Sequence, residues 1–574
     1  MRHFLLLTFI ILSISCKTVS TSIVGAGKAI DPYNYTIVKN QTFQNGAVAS
    51  AHPLASMVGA QILKQGGNAI DASIATQLAL AVVYPGAGNI GGGGFLVATM
   101  NDGKSFTLDY RETAPAKSTR DMYLDAQGNP QTLLSQKGHL SAGIPGTVAG
   151  LFASMPYAKL SFKNLIQPAI DLAENGFVIT DAEAKKMNSV VSDFKLYNTI
   201  ANVFYKGNWK KGDTLIQKDL AATLRRIRDN GRDGFYKGPT ADLIVAEMKR
   251  GNGIITYADL EGYQPKERQP LIFNYKGYQV ISMPPPSSGG ILLLQMLKMV
   301  EKRPLPFYGF HSTKAVQLMT EVERRAYADR AAHLGDPDFY KVPIETLASE
   351  AYLEQRMLDY DSTRAGKSSV IKAGLIEGMQ TTHISIVDKW NNAVSVTTTL
   401  NLTFGSKTVV GGAGFFLNDE MDDFSVKPGV PNAYGAVGGE ANAIEPGKRM
   451  LSSMTPTIVL KNGKPFMVVG TPGGPTIPTS VFQVITNAID FNLDPFTNVN
   501  APRFHHQWLP DELVIEKDFP KKVADDLIRM GYSIKNYGIP GYSTTLGRIE
   551  LLSINNGKIQ AIGDKRGDDS VAGY

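Results

Sequence analysis

The feature that most constrains the fold is a pair of alternating segments joined by a short polar turn, beginning at Thr381. Along residues 381–388 (TTHISIVD), Thr381, His383 and Ser385 fall on one face of a predicted strand, and the isoleucines fall on the other. The turn DKWNNA leads into residues 393–400 (AVSVTTTL), where apolar and hydroxyl-bearing residues alternate again. The sequence therefore predicts an antiparallel hairpin with one apolar face and one face rich in hydroxyl groups.

This hairpin brings polar residues from both strands to the same end. If the strands pair from the turn outward, with Asp388 at the turn, Thr381 lies opposite Leu400, give or take about one or two residues of register. Thr399 and Asn401 then lie near Thr381. A hydroxyl beside a second hydroxyl and a carboxamide, on a rigid sheet edge, is an arrangement that acyl transfer can use. The alternative is an ordinary strand, because threonine is β-branched and pairs well in sheets.

Helical and strand-like patterns divide along the chain. Apolar residues recur at helical spacing over residues 48–66, 69–83 and 312–334, and the last of these is predicted to be a long amphipathic helix. Strand-like alternation gathers after the hairpin start and around 455–471. Residues 361–380 are polar and contain glycine, which predicts an exposed segment. We therefore predict an α+β fold in which helices cover sheets and both parts of the chain form one body.

Composition limits the class of protein. The chain has 574 residues, of which 43% are hydrophobic and 19% charged, as expected of a soluble globular protein with an ample core. Its formal net charge of +6 is small for this length, and no block of basic residues stands out. We therefore predict that nucleic acid is not a partner.

The N-terminus resembles a targeting segment. Arg2 and His3 precede an apolar run over residues 4–14, which is too short to cross a bilayer and suits the core of a signal peptide. Cys16, the only cysteine, follows this run. It is either the acylation site of a bacterial lipoprotein or an incidental residue of an ordinary secretory signal. Both alternatives predict a signal peptide over residues 1–16 and an exported protein, whether periplasmic, anchored to the outer membrane or secreted.

A glycine-rich segment at residues 86–91 (GAGNIG) matches a dinucleotide-binding fingerprint, with Asp109 at the expected distance. That motif requires a following helix, but residues 92–94 are glycines and a strand pattern follows them. A close approach of two backbones is the better interpretation. The histidines are scattered without cysteine or carboxylate at ligand spacing, so we predict neither a metal nor a cofactor.

Further segments contribute polar groups for a binding site. The stretch NDEMDDFS crowds acidic residues that repel one another unless a cation lies among them: Asp419, Glu420, Asp422 and Asp423. Solvated loop acids and a Ca²⁺ loop are the alternatives, although the spacing of a Ca²⁺ loop is missing. Elsewhere, Arg111 offers a guanidinium after a strand. Ser452 and Ser453 offer two hydroxyls before a strand. Gly473 and Gly474 offer two backbone N–H groups for an oxyanion. Together these groups predict a pocket for a zwitterionic amino acid beside a hydroxyl nucleophile.

Many ordered segments of this chain resemble the γ-glutamyltranspeptidase family of N-terminal nucleophile hydrolases. The matches run along nearly the whole chain after the signal: GGNAIDASIA, GNIGGGGF, DYRETAPA, GIPGTVAGL, MPPPSSGG, TTHISIVD, TLNLTFGS, NDEMDDFS, LSSMTPTIV, GTPGG, NAPRFHHQWLPDEL and GDDSVAGY. The resemblance implies a four-layer αββα sandwich made as one precursor. It also implies autocatalytic cleavage between Gln380 and Thr381, giving a large subunit of residues 17–380 and a small subunit of residues 381–574 that form one interwoven catalytic domain.

The resemblance implies a role for each site residue. Thr381 is the nucleophile, and its freed α-amino group, with a reference pKa of about 7.7–8.0, suits a general base near neutral pH. Thr399 holds Thr381 by a hydrogen bond, and the N–H groups of Gly473 and Gly474 stabilise the oxyanion. The substrate α-carboxylate is assigned to Arg111, Ser452 and Ser453, and its α-ammonium to Asn401, Glu420 and Asp423. Asp419 and Asp422 receive no such role.

The resemblance also implies γ-glutamyl compounds such as glutathione as substrates, with water or an amino acid or peptide as acceptor. Residues 426–440 resemble the lid loop of some members of the family, with Tyr434 as the gate. Pro475 departs from the family pattern, and because proline lacks an N–H we expect a slightly different oxyanion loop. Two rival functions remain: an acylase of the same fold acting on glutaryl or cephalosporin side chains, and a non-catalytic exported amino-acid-binding protein.

Overall fold

The description rests on a computed structural model. It covers the following parts of the chain: residues 30–371, 380–427, 439–536 and 545–574. The predicted signal peptide with Cys16 and the predicted lid residue Tyr434 lie outside the described residues.

Two seven-stranded sheets form the centre of the molecule. In chain order the strands are β1 (Asn40–Phe43), β2 (Ala47–Ser50), β3 (Gly93–Thr99), β4 (Ser105–Asp109), β5 (Phe177–Val178), β6 (Thr214–Leu215), β7 (Lys266–Arg268), β8 (Leu271–Tyr275), β9 (Tyr278–Ser282), β10 (Gln380–Val387), β11 (Ala393–Asn401), β12 (Thr457–Lys461), β13 (Lys464–Gly470), β14 (Phe504–His505), β15 (Leu513–Ile515), β16 (Ile534–Asn536), β17 (Glu550–Asn555), β18 (Lys558–Gly563) and β19 (Ser570–Gly573). The hairpin sheet has the order β19-β2-β10-β11-β3-β4-β7, and the second sheet has the order β1-β18-β17-β13-β12-β9-β8. Strands β14-β15-β16 and β5-β6 form smaller sheets.

Helices surround the two sheets. In chain order they are α1 (Pro53–Lys64), α2 (Ala69–Val83), α3 (Thr132–Gln136), α4 (Thr147–Ser154), α5 (Phe162–Asn175), α6 (Asp181–Ser189), α7 (Val191–Tyr197), α8 (Lys218–Asn230), α9 (Asp233–Tyr236), α10 (Gly238–Gly251), α11 (Tyr257–Gly262), α12 (Gly289–Glu301), α13 (Leu305–Tyr308), α14 (Thr313–His333), α15 (Ile344–Ala348), α16 (Glu350–Arg356), α17 (Thr476–Ile489), α18 (Pro495–Asn500) and α19 (Lys521–Arg529).

Three apolar cores confirm the predicted αββα layering. Ile384 and Ile386 of the hairpin sheet pack in one core with α1 and α2. Met467 and Val469 of the second sheet pack in another with α12, α14 and α17. A third core, which includes Val468, joins the inner faces of the two sheets. Because successive strand residues point to opposite faces, each central strand contributes to two of these cores.

The predicted hairpin is confirmed, and its register falls within the predicted range. Thr381 pairs with Thr399, one residue from Leu400. The register shifts between Gln380 and Thr381, so that Gln380 pairs with Asn401 and Leu400 is the extra residue of a β-bulge. Strand β10 is therefore irregular at the predicted cleavage point between Gln380 and Thr381.

Two helix predictions need correction. Residues 48–66 are not one helix: strand β2 comes first and pairs with β10, and α1 begins at Pro53. The ring of His52 caps α1 by accepting a hydrogen bond from the N–H of Leu54 (3.2 Å), and proline is favoured at a first helical position. Helix α14 is present, but it is buried around nearly its whole circumference instead of being amphipathic. Its buried charges are compensated by ion pairs such as that between Arg325 and Glu321 (2.6 Å).

Candidate active site

Thr381 and Thr399 face each other across the paired strands β10 and β11. Both are nearly buried, with exposed fractions of 5% and 3%. They lie on the inner face of the hairpin sheet, because their neighbours Ile384 and Val396 point to the helix side. The N–H of Asn401 donates to the Thr399 hydroxyl (2.8 Å) from a left-handed backbone position with φ of 72°. The two threonines and the backbone of Asn401 therefore lie together at this end of the hairpin, while the Asn401 carboxamide donates to the Asp419 carbonyl (3.1 Å).

A polar layer separates Thr381 from the apolar core between the sheets. The ring of His383 lies within hydrogen-bonding distance of the hydroxyls of Thr397 (2.9 Å) and Ser385 (3.1 Å). Burial lowers the pKa of His383 to about 3, so the ring is neutral at ordinary pH. The same ring packs so closely on Gly470 that a side chain there would collide with it. The inner face of β10 is thus in contact with the end of strand β13.

The loop after β13 contains the two glycines predicted to bind an oxyanion. Gly473 and Gly474 have φ of 140° and 57°, which only glycine adopts readily. Both the N–H and the hydroxyl of Thr476 donate to the Gly473 carbonyl (3.1 and 2.9 Å), which fixes the loop at the start of α17. Pro475 precedes this helix with φ of −63°, a value natural to proline, and its carbonyl accepts a hydrogen bond from Tyr327.

The charged residues assigned to the two ends of the substrate come together from distant parts of the chain. We call this group, formed by Arg111, Glu420 and Asp423, the clamp. The Arg111 guanidinium contacts Glu420 at 2.6 Å and forms a second ion pair with Asp423. Its remaining N–H groups donate to the carbonyls of Met450 and Leu451 (both 3.3 Å), directly before the two predicted serines. The family resemblance assigns the guanidinium and the acids to opposite ends of a substrate, whereas in this structure they bind each other.

Acidic side chains outnumber the single guanidinium around Arg111. Glu112 lies 3.7 Å from the same guanidinium, and burial raises its pKa to about 8 although the guanidinium opposes that shift. Burial also raises the pKa of Glu420 well above its usual range. The pKa of Asp422 is raised to about 7 by burial, although the Ser135 hydroxyl donates to it (2.5 Å). An added cation would therefore be stabilised in this cluster.

The two serines differ in their partners. The Ser452 hydroxyl accepts from the N–H of Met454 (3.2 Å), and the Ser452 carbonyl accepts from the N–H (2.6 Å) and the hydroxyl (2.7 Å) of Ser288. The Ser453 hydroxyl is buried and has no hydrogen-bond partner among the described residues. Buried polar groups are normally paired, so an unused donor two residues after the Leu451 carbonyl that Arg111 contacts points to a ligand atom.

The glycine-rich segment makes the close backbone approaches that the sequence predicts. A side chain on Gly91 would collide with the carbonyl of Phe416, and one on Gly92 would collide with that of Thr399. The expectation of a close approach instead of a dinucleotide site is confirmed at these positions, because strand β3 follows the glycines where a helix would be needed.

Sequence reasoning missed two buried asparagines that hold this segment in place. The Asn89 side chain donates to the Thr399 carbonyl (2.7 Å), and the Asn418 side chain donates to the Gly91 carbonyl (2.9 Å) and accepts from the N–H of Glu420 (3.0 Å). The available signal was a carboxamide inside a run of glycines and another at the start of NDEMDDFS. Glu112, which adjoins Arg111, was also missed.

Among the described residues no group of histidine, cysteine or carboxylate side chains has the arrangement of a metal site. Over the same ranges, no helix combines the length and apolar character needed to span a membrane.

Comparison with known proteins decides the family. The profile described as Gamma-glutamyltranspeptidase matches residues 55–574. The chain belongs to the γ-glutamyltranspeptidase family. The glutathione hydrolase proenzyme of Escherichia coli strain K12 is 47% identical over 540 residues, which cover 92% of each chain. The glutathione hydrolase proenzyme of Pseudomonas aeruginosa strain PAO1 is 47% identical over 532 residues, covering 92% of this chain and 94% of the relative.

Members of this γ-glutamyltranspeptidase family and related acylases also share its fold. The crystal structure of Helicobacter pylori γ-glutamyltranspeptidase is 42% identical with a TM-score of 0.55, covering 59% of this chain and 96% of that one. The cephalosporin acylase from Bacillus halodurans is 26% identical with a TM-score of 0.80, covering 96% of this chain and 99% of that one. A curated relative named Acylase ACY 1 proenzyme, from Pseudomonas sp. strain SE83, is 35% identical and covers 85% of this chain and 87% of its own length.

Proposed function

We propose that this protein is a γ-glutamyltransferase and glutathione hydrolase that acts through an ester of Thr381. The single observation that carries the proposal is the pairing of Thr381 with Thr399 at the end of the hairpin, next to the β-bulge at Gln380. The relatives named glutathione hydrolase proenzyme, at 47% identity, support the substrate class and the making of the enzyme as a precursor.

The first step is cleavage of the precursor. The Thr381 hydroxyl attacks the carbonyl of Gln380, the peptide C–N bond breaks, and the amine takes up the proton, leaving an ester between the two residues. Water then hydrolyses this ester, which restores the hydroxyl and leaves Gln380 with a free carboxylate. The products are a large subunit that ends at Gln380 and a small subunit of residues 381–574. The β-bulge at the scissile bond supports this step, because bulges turn the backbone out of regular pairing.

Cleavage then supplies the catalytic base. The new α-amino group of Thr381 has a reference pKa of about 7.7–8.0 and takes the proton of its own hydroxyl as that hydroxyl attacks the γ-glutamyl carbonyl. Thr399, whose hydroxyl is already fixed by the N–H of Asn401, holds Thr381 in place. The N–H groups of Gly473 and Gly474 stabilise the oxyanion, a contribution of about 2.7–4 kcal/mol for each donor.

The clamp around Arg111 binds the two ends of the amino acid. Arg111, Ser452 and Ser453 hold the α-carboxylate, and Asn401, Glu420 and Asp423 hold the α-ammonium. When a zwitterion enters, its carboxylate replaces the acids as the partner of Arg111, and its ammonium replaces the guanidinium as the partner of the acids. The excess of acid groups and the Ser453 hydroxyl, which has no partner in the part of the chain that the structure describes, both favour such a ligand.

The γ-glutamyl ester is finally released to water or to the amine of an amino acid or peptide acceptor. The two subunits remain a heterodimer, and Tyr434 serves as the gate of the site. The bacterial relatives and the N-terminal apolar segment favour an exported enzyme, either periplasmic or held at the outer membrane by a lipid on Cys16.

An acylase of the same fold is the second candidate function, favoured by the TM-score of 0.80 to the cephalosporin acylase. Such an enzyme would cleave before Thr381 but would not need both ends of the clamp. The retention of Arg111 together with Glu420 and Asp423 favours the γ-glutamyl substrate, as does the higher identity of the glutathione hydrolases, 47% against 35%.

The test has two parts. N-terminal sequencing of the purified protein should find a fragment beginning Thr-Thr-His, and Thr381→Ala should give a single uncleaved chain without activity. A γ-glutamyl anilide should then be hydrolysed much faster than a glutaryl amide. The reverse preference would favour the acylase, and a single persistent chain in the wild type would favour a non-catalytic binding protein.

A further inference from the structure

Asn89 connects the glycine-rich segment to the strand that carries Thr399. Its side-chain NH₂ donates to the carbonyls of Thr399 (2.7 Å) and Ala87 (2.9 Å), and it lies 3.2 Å from the Thr398 hydroxyl. Its side-chain oxygen accepts from the N–H of Gly92 (3.0 Å) and the hydroxyl of Thr147 (2.7 Å). The carboxamide is therefore fully bonded at both ends.

The contacts leave the side chain one orientation. Asn89 is only 5% exposed, so water does not compete for its bonds. The N–H of Gly92 can only donate and the Thr399 carbonyl can only accept, so the side-chain oxygen of Asn89 faces Gly92 and its NH₂ group faces Thr399. Gly92 approaches the same carbonyl so closely that a Cβ atom has no room. The carbonyl of Thr399 is thus held from two directions by the glycine-rich segment.

This position matters because of what Thr399 does in the hairpin. Thr399 faces Thr381, and its hydroxyl accepts from the N–H of Asn401, two residues further along the strand. A shift of the Thr399 backbone would move that hydroxyl, whereas the Asn401 side chain is held separately by the Asp419 carbonyl (3.1 Å). In acyl transfer, a displacement of about 1 Å costs on the order of 100-fold in rate.

We propose that Asn89 is a positioning residue for acyl transfer: its carboxamide fixes the Thr399 carbonyl and thereby the hydroxyl that faces Thr381. This inference rests on the proposed function. Asn89 touches neither the nucleophile nor the charged clamp at Arg111, so it acts on the rate of the chemical step and not on the affinity for the substrate. The precursor cleavage uses the same hydroxyl pair and depends on Asn89 in the same way.

The decisive variant is Asn89→Asp, which keeps the shape of the side chain but replaces the donor by an acceptor. We expect precursor cleavage and kcat for a γ-glutamyl anilide to fall by about 30- to 100-fold, with KM within about 3-fold of the wild-type value. A protonated carboxyl regains a donor, so the variant should recover relative to wild type as the pH is lowered from about 8 to about 5.

Asn498→Asp is the matched control. Asn498 is also a buried asparagine (2% exposed) whose NH₂ donates to a carbonyl, that of Val484 (2.8 Å), but it lies in α18. The Asn498→Asp variant should be less stable to heat than the wild type. Its precursor cleavage should not slow, and its rates should not rise relative to wild type as the pH is lowered. If Asn498→Asp slows cleavage as much as Asn89→Asp, the effect is general destabilisation and the inference is wrong.

A second variant decides the question if Asn89→Asp does not fold. Thr147→Val removes the hydroxyl that donates to the Asn89 side-chain oxygen while keeping the size of the side chain, and we expect a fall of about 3- to 10-fold in cleavage rate and kcat, with KM unchanged. Wild-type rates in either variant would overturn the inference while leaving the proposed function intact. A wild-type protein that neither cleaves itself nor hydrolyses the anilide would overturn both.

Discussion

Replacing Ser453 with alanine should weaken substrate binding without weakening the fold. Ser453 is 1% exposed, and its hydroxyl has no hydrogen-bond partner among the described residues. The folded protein therefore loses no hydrogen bond when this hydroxyl is removed. The free energy of unfolding should be unchanged or raised by up to about 1 kcal/mol, because an unpaired buried hydroxyl is unfavourable. A hydrogen bond to a charged group contributes about 1.5–3 kcal/mol, so KM for a γ-glutamyl donor should rise about 10- to 100-fold.

The assay measures KM and kcat with a γ-glutamyl anilide and stability by urea unfolding of the same preparations. Ser452→Ala is the control, because the Ser452 hydroxyl accepts from the N–H of Met454 (3.2 Å) and its loss leaves that group unpaired. This control should lose about 1 kcal/mol of stability in addition to affinity. A Ser453→Ala protein that is clearly destabilised but binds the donor as tightly as wild type would refute the reasoning.

Three further perturbations follow from the same geometry. Gly92→Ala places a methyl group against the Thr399 carbonyl and should abolish precursor cleavage on gels, whereas Gly262→Ala, which meets no atom, should cleave normally. Glu420→Gln mimics the protonated acid that burial favours, so its melting temperature should be retained while KM rises about 10-fold; a KM equal to wild type would contradict its role at the ammonium. Burial lowers the pKa of His383 to about 3, so its contribution to stability is complete above about pH 6.5 and is lost as the pH falls toward 3; His383→Gln should flatten the urea stability profile across that range.

The hairpin and the layering were accessible from the sequence because strand periodicity is local. The alternation from Thr381 to Val387 predicts both the inner face and the approximate register, and the structure confirms them. Strand β2 was missed because it is short and runs directly into α1, so its few apolar residues read as the first turn of the helix. Helix α14 was predicted as amphipathic because some of the ion partners that allow its charges to be buried lie far away in sequence, such as Asp511 beside Arg324.

The site could be predicted as a set of residues but not as an arrangement. Periodicity and spacing place Arg111 after a strand and Glu420 in an acidic segment, and only the long-range packing of β4 and the 420–423 turn brings them to 2.6 Å. The role of Asn89 escaped for a related reason. Its partners, the carbonyl of Thr399 and the hydroxyl of Thr147, are backbone and side-chain groups that no pattern around residue 89 reveals.

The strand order of the two sheets determines how the protein would unfold and refold once its chain has been cut before Thr381. Strands from before and after that bond alternate: β10 and β11 lie between β2 and β3, and the second sheet likewise mixes β12 and β13 with β9. Two separate polypeptides would then share both sheets, and each would supply strands that pair with strands of the other. Denaturant would release partners that can reassemble only by colliding, so recovery should depend on concentration, whereas the uncut chain refolds alone.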